Sequence, residues 1–288
     1  MSVTMRPTTP TLESRDELGK YVECYADRID GELGVFLGFP YGPDEFDTVY
    51  TRNARRAFRS ASVVKILILY ALYERYDGRL DSLAESCPLA PENRVGGSGI
   101  LHLLDATPTI EELARAMIAT SDNAATNQLI DHLSMTTIND SAAKLGMKHT
   151  RLARKMMTTL EATDFEESEI HVPEDEPANV TSPVDCARFF ADIGCEATLS
   201  ANAYERLCVP LSAQKDTSMV PRYLPYETEI MHKTGWLPTA ALDAGLLSVP
   251  DEGTPPLVFS VFVDSVSHGA DAADAIAEIG DAVFSWLR

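Results

Sequence analysis

Ser62 and Lys65 stand three residues apart in FRSASVVKILILYALYE, residues 58–74. A serine hydroxyl is a poor nucleophile near neutral pH and needs a base within hydrogen-bond reach. An amine one helical turn away on the same face is such a base, provided it can lose its proton. The surroundings favour that loss. From Val63 to Leu72 the segment is apolar nearly all round, the pattern of a buried helix. Burial disfavours the ammonium form, and a second lysine brought nearby, Lys233, would disfavour it further. Two more short elements carry polar groups in suggestive order: Ser121-Asp122-Asn123, and Lys233-Thr234-Gly235. Taken singly, each has an ordinary reading as well. These are a lysine snorkelling from a helix start, a helix-linking turn capped by Asp122, and a strand end.

The elements that must position these groups can be read from periodicity. TLESRDELGKYVECYADRI, residues 11–29, has a helical spacing of apolar residues, and LGVFLGF, residues 33–39, is a short strand closed by Pro40 and Gly42. A second strand is expected near Thr48–Thr51. Thr109 with Glu112 three residues on makes a capping box, opening a helix whose buried stripe is Leu113, Met117 and Ile118. NAATNQLIDHLS and SPVDCARFFADIG read as further helices, the second with Ser182 at the cap and Pro183 in the first turn. EATDFEESEIHVPEDE, residues 161–176, is expected to be a solvated acidic loop. EIMHKTGW, LDAGLLSV and LVFSVFVDSV read as three strands, and the chain ends in an amphipathic helix carrying Ile276, Ile279, Val283 and Leu287.

Strands at both ends and helices between them indicate an α+β fold. The expectation is one antiparallel sheet built from both chain ends and flanked by helices, with an all-helical lobe inserted between. A single domain then spans residues 1–288, with an α/β lobe from about 15–60 and 209–288 and a helical lobe from 61–208. A cleft between lobes is a common place for an active site.

Composition narrows the function. The 288 residues include 44 acidic and 24 basic side chains, for a net charge of −20. Such a charge repels nucleic acid and anionic membranes, so neither is an expected partner. It also destabilises a compact state unless salt screens it, which is the signature of adaptation to high salt; an acidic mesophilic enzyme is the alternative. The five cysteines show no paired spacing and are expected to be reduced. No histidine or cysteine pattern marks a metal site, and no cofactor is expected. The first thirty residues lack a basic start followed by an apolar core. They do not read as a secretory signal, and a cytoplasmic location is expected unless a misplaced start codon hides a leader.

S-x-x-K, S-D-N and K-T-G in this order and in these contexts are far more specific together than apart. With GGSGIL (residues 96–101), MIATSDNAATNQLI (117–130) and IAEIGDAVFSWL (276–287), the sequence resembles the class A β-lactamases and penicillin-binding proteins over almost its whole length. The resemblance implies a two-lobe fold and a serine nucleophile, Ser62, with Lys65 handling its proton. It implies that Ser121 relays a proton to the leaving nitrogen and that Asn123 holds Lys65 and the substrate's side-chain amide. Lys233 and Thr234 would bind a substrate carboxylate, and Gly235 would leave room at the strand edge. The backbone N–H groups of Ser62 and Trp236 would form an oxyanion hole.

One feature departs from that family. Class A enzymes position a deacylating water with a glutamate after a TRLDR-like stretch. Here the stretch is TRLARKMM, residues 150–157, and the glutamate's place falls on Met156, which cannot take a proton. The motif's trailing asparagine is missing too. Glu161 is the nearest substitute in sequence, with a plain surface acid as its alternative reading. The expectation is a serine hydrolase acting on β-lactams or related small amides and esters, with weak penicillin turnover. A D-alanyl-D-alanine peptidase-like or small-ester hydrolase role, or a non-catalytic binding protein on the same fold, are the rivals. If the charge is an adaptation to salt, the melting temperature rises between low and molar KCl in a fluorimetric scan. A flat response contradicts it.

Overall fold

The computed structural model describes residues 10–157, 178–248 and 254–288. Its elements run α1 (Arg15–Ala26), β1 (Glu32–Gly42), β2 (Glu45–Arg52), β3 (Phe58–Arg59), α2 (Lys65–Tyr76), α3 (Ile110–Ala119), α4 (Asn123–Leu133), α5 (Met135–Lys144), β4 (Val180–Thr181), α6 (Pro183–Cys195), α7 (Ala201–Ser212), β5 (Ile230–Leu237), β6 (Ala240–Leu247), β7 (Leu257–Asp264) and α8 (Gly269–Trp286). Five strands form one antiparallel sheet in the order β2-β1-β7-β6-β5, so the N-terminal strands pair with the C-terminal ones through β1 and β7, as the sequence implies. β6 and β7 are buried at every position because helices cover both faces of the sheet. α6 packs on one face, against β1, β6 and β7; α8 covers the other, and α1 packs on α8.

Between the strands lies the helical part. Its centre is α2, buried at every position from Lys65 to Tyr73 and surrounded by α3, α4, α5 and α7. This explains the all-round apolar sequence: a helix enclosed by four others has no solvent face to mark. The caps read from sequence are formed. Thr109 and Glu112 make the reciprocal capping box of α3, and Ser182 caps α6 with Pro183 in its first turn. Among the described residues no helix is long and apolar enough to cross a membrane. The five cysteines are free, and burial pushes the Cys186 thiol up to about 12.

Some elements differ from expectation. Lys65 does stand at the start of the buried helix α2, but Ser62 is not on that helix: residues 58–59 form β3 and Ala61–Val64 form a 3-10 turn. β2 is longer than expected, spanning Glu45–Arg52. The two-residue ladder β3–β4 is too short to leave a periodic trace, yet it joins the segment before Ser62 to the segment after residue 177. α5 and α7 are additional helices capped by Ser134 and Ser200; Pro210 inside α7 conceals it as a helix in the sequence. The acidic stretch 161–176, with Glu161, lies outside the described residues.

Because α2 is buried all round from Lys65 to Tyr73, shortening a side chain there is costly. Leu67, fully buried in the helical core, should lose about 2–5 kcal/mol on replacement by alanine. Denaturant unfolding of Leu67→Ala measures this; a loss under about 1 kcal/mol would contradict the enclosed packing of α2.

Candidate active site

A cavity of about 630 Å³ opens where the sheet edge meets the helical part, and Ser62, Ser121, Asn123, Thr234, Trp236 and Met156 are among the residues lining it. Three separate elements converge there. The 3-10 turn carries Ser62, the turn between α3 and α4 carries Ser121 with Asn123 opening α4, and the edge strand β5 carries Lys233 through Trp236.

Two of these turns are held in unusual conformations. Ala61 and Ser121 both have left-handed backbones, with φ of 45° and 57°. For residues with a Cβ this costs about 1–2 kcal/mol each, and such strain is characteristic of sites where the chain must aim a side chain. The surroundings enforce it. Asp122 caps α4 through the Ala125 N–H and accepts from the backbone of Ile100 and Leu101. A side chain on Gly99, which has a φ of +78°, would overlap that carboxylate, so this glycine is required. Gly235 is equally constrained. A Cβ there would come within 3.0 Å of the Ala61 Cβ and 3.1 Å of the Ser62 nitrogen. β5 therefore lies pressed against the turn bearing Ser62.

Lys65 is fully buried. Its Nζ donates to the Ser121 carbonyl (2.7 Å), the Ser121 Oγ (3.1 Å) and the Asn123 Oδ1 (2.9 Å). Asn123 is oriented for this by donating its Nδ2 to the Gly96 carbonyl at 2.9 Å. The expected direct contact with Ser62 is not the one formed: among the described residues the Ser62 Oγ makes no hydrogen bond, and Lys65 faces the Ser121–Asn123 turn. Burial holds the Lys65 amine well below the usual lysine range, the charge of Lys233 lowers it further, and Asp122 acts weakly against both. The partner set gives that proton loss a consequence. An ammonium can donate to all three oxygens, but a neutral amine carries a lone pair that needs a donor. Of the three contacts only the Ser121 hydroxyl can supply one.

Lys233 is also fully buried, donates to the Thr234 carbonyl at 2.8 Å, and is lowered to about 7 by burial, with Asp216 and Asp243 opposing. Beneath it Asp243, which faces Thr234 across the β5–β6 ladder, binds the His232 ring.

Several residues not singled out in the sequence shape the site. Asn127, one turn along α4 from Asn123, holds the Met156 backbone at both ends, accepting from its N–H (2.7 Å) and donating to its carbonyl (3.0 Å). The i, i+4 spacing of the two asparagines was the available signal. Asn179 binds the backbone of Ala153 and Arg154 with its side chain, and its carbonyl accepts from Ser60. Met156 and Met157 thus present thioethers along the cavity wall. Asp216 lines the cavity beside Thr234 and Trp236. Among the described residues no cluster of His, Cys, Asp or Glu could hold a metal ion.

Residues 37–287 match the family model described as the beta-lactamase enzyme family. The chain belongs to that family. Its fold is shared with solved structures along almost the full length of both chains. A beta-lactamase from Sphaerobacter thermophilus DSM 20745 is 28% identical, with 94% of this chain and 96% of that chain covered at a TM-score of 0.78. A beta lactamase from Xanthomonas campestris pv. campestris shares the fold at 18% identity and a TM-score of 0.81, with 96% and 100% covered. PBP-A, at 23% identity and a TM-score of 0.78, is covered to 98% by 96% of this chain, and a mutant of PBP-A is described as an acyl-enzyme complex with penicillin G. No curated protein matches the chain in sequence.

If the Lys65 amine must be neutral to act, modification of Ser62 by a fluorophosphonate rises with pH. Replacing Lys233 by glutamine removes a like charge, raises the Lys65 pKa and moves the acidic limb of that profile to higher pH. A limb that stays put or moves down contradicts the coupling.

Proposed function

We propose that this member of the beta-lactamase family is a serine hydrolase acylated at Ser62 by β-lactams or related small amides and esters. The observation that carries the reading is the buried Lys65 amine gripped by Ser121 and Asn123 at the edge of the cavity that Ser62 lines. A pure binding protein has no need of a desolvated amine bonded to the Ser121 hydroxyl in the wall of such a cavity.

In this reading Ser62 attacks the carbonyl carbon. Its proton passes to the Lys65 amine, directly once substrate closes the gap or by way of the Ser121 hydroxyl. The backbone N–H groups of Ser62 and Trp236 receive the developing oxyanion, an effect worth about 100- to 1000-fold in rate per donor. Ser121 then returns a proton to the leaving nitrogen or oxygen, and Lys233 and Thr234 hold the far end of the substrate.

Removing the acyl group is the slow half. Water needs a base to be activated, and the wall formed by Met156 and Met157 offers none. The Asn127 clamp on the Met156 backbone keeps that wall in place. The same apolar wall also fits a penicillin-binding or D-alanyl-D-alanine peptidase-like role, in which a long-lived acyl-enzyme awaits another acceptor.

Prolonged incubation with excess penicillin G should leave an adduct of one drug mass on the intact protein, mapped to Ser62 and absent from Ser62→Ala. Met156→Glu should shorten the adduct's lifetime at least about tenfold. Labelling retained in Ser62→Ala would remove Ser62 as nucleophile. An adduct that wild type sheds as fast as Met156→Glu would show that another group activates water.

A further inference from the structure

The end of the cavity at Thr234 is occupied by an acid. Asp216 receives the Trp236 indole N–H on Oδ2 at 2.7 Å and the Ser218 backbone N–H on Oδ1 at 3.1 Å. The Ser218 hydroxyl also donates to Oδ1, and Thr234 is a further, weaker hydrogen-bonding neighbour. Burial raises the Asp216 pKa, but these donors outweigh it and hold the carboxyl below its usual range, so it is ionised at neutral pH. The backbone fixes its place: Gln214 accepts from the Asp216 N–H and is itself anchored on the Ile118 carbonyl.

Arg59, Arg154, Lys155 and Lys215 line the same cavity, but among the described residues none of them bonds the Asp216 carboxylate, whose partners are Trp236, Ser218 and Thr234. Lys233 is fully buried and donates to the Thr234 carbonyl, not to Asp216. Arg59, which lines the same cavity, donates to Asp264 and Thr239, and Lys155 donates to Asp131 and Asn93. Lys215 is exposed to solvent. A substrate carboxylate seated on Thr234 would therefore face a fixed anion inside a partly desolvated cavity. Like charges so placed repel strongly.

We propose that Asp216 is a specificity-determining residue that makes the Thr234 end of the cavity select an uncharged or cationic hydrogen-bond donor, an amide or an ammonium group, over a carboxylate. The preferred substrate is then a small ester or amide whose leaving group carries such a donor, and carboxylate-bearing β-lactams acylate Ser62 slowly. This rests on the acyl-transfer reading above and names its substrate class.

Three phenylacetylglycyl aryl esters test it, with leaving groups 3-hydroxybenzoate, 3-hydroxybenzamide and 3-(aminomethyl)phenol. Each differs from the others only in the charge and donor capacity at the position that reaches Thr234. Ser62 acylation rates are read by intact mass and phenol release, each divided by the ester's own alkaline hydrolysis rate. Wild type should react at least about tenfold faster with the amide and ammonium esters than with the carboxylate. Asp216→Asn, which retains an acceptor for the Trp236 indole, should raise the carboxylate rate about tenfold and remove the ammonium preference. A wild-type preference for the carboxylate ester overturns the proposal while leaving acyl transfer standing, as does a selectivity unchanged in Asp216→Asn. Failure of all three esters to label Ser62 overturns the acyl-transfer reading and this inference with it.

Discussion

A fully buried lysine is the constraint around which the cavity is organised. Lys65 is wholly buried, and among the described residues its charge is supported by one carbonyl, one amide oxygen and one hydroxyl. Burying an unpaired ammonium is costly, and among the described residues no carboxylate is in contact to offset it. The neutral form is relieved of that cost but must find a donor for its lone pair. The hydroxyl of Ser121 is the contact that can turn round to provide one. Protonation of Lys65 and orientation of Ser121 are thus two aspects of one event.

The rest of the fold keeps that arrangement from relaxing. α2 is enclosed by four helices, so Lys65 cannot snorkel to solvent. The Ser121 turn is forced left-handed between α3 and the Asp122 cap of α4, with Gly99 packed directly on the capping carboxylate. On the opposite wall, Gly235 lets β5 press against the turn bearing Ser62, and the short β3–β4 ladder with Asn179 secures that turn from behind. Strain in the turns at Ala61 and Ser121 is held by packing that is well formed elsewhere, including a five-stranded sheet covered on both faces.

Much of this was legible in the sequence because the decisive signals are local. The Thr109–Glu112 capping box, the Ser182-Pro183 helix start and the all-round apolar run of α2 each state their own structure. S-x-x-K, S-D-N and K-T-G mark three elements that the fold brings to one cavity. What periodicity could not give was long-range or too short to repeat. The two-residue strands leave no pattern, Pro210 disguises α7, and the 3-10 turn at Ser62 reads as helix because its residues are helix-compatible. The aim of Lys65 at the Ser121–Asn123 turn is a tertiary fact. So is the close approach at Gly235, where β5 meets the turn bearing Ser62. Asp216 carries no motif at all, and only its hydrogen bonds from Trp236 and Ser218 reveal that it faces the cavity.

The central claim is that Lys65 loses its proton far more readily than an ordinary lysine while remaining bound to Ser121 and Asn123. The most direct measurement is an NMR titration of the protein labelled with 13C at the lysine Cε, with the Lys65 signal identified by its loss in Lys65→Met. The account predicts a chemical-shift transition well below the ordinary lysine pKa of about 10.4. A Lys65 signal that keeps its ammonium shift until the other lysines titrate would contradict it.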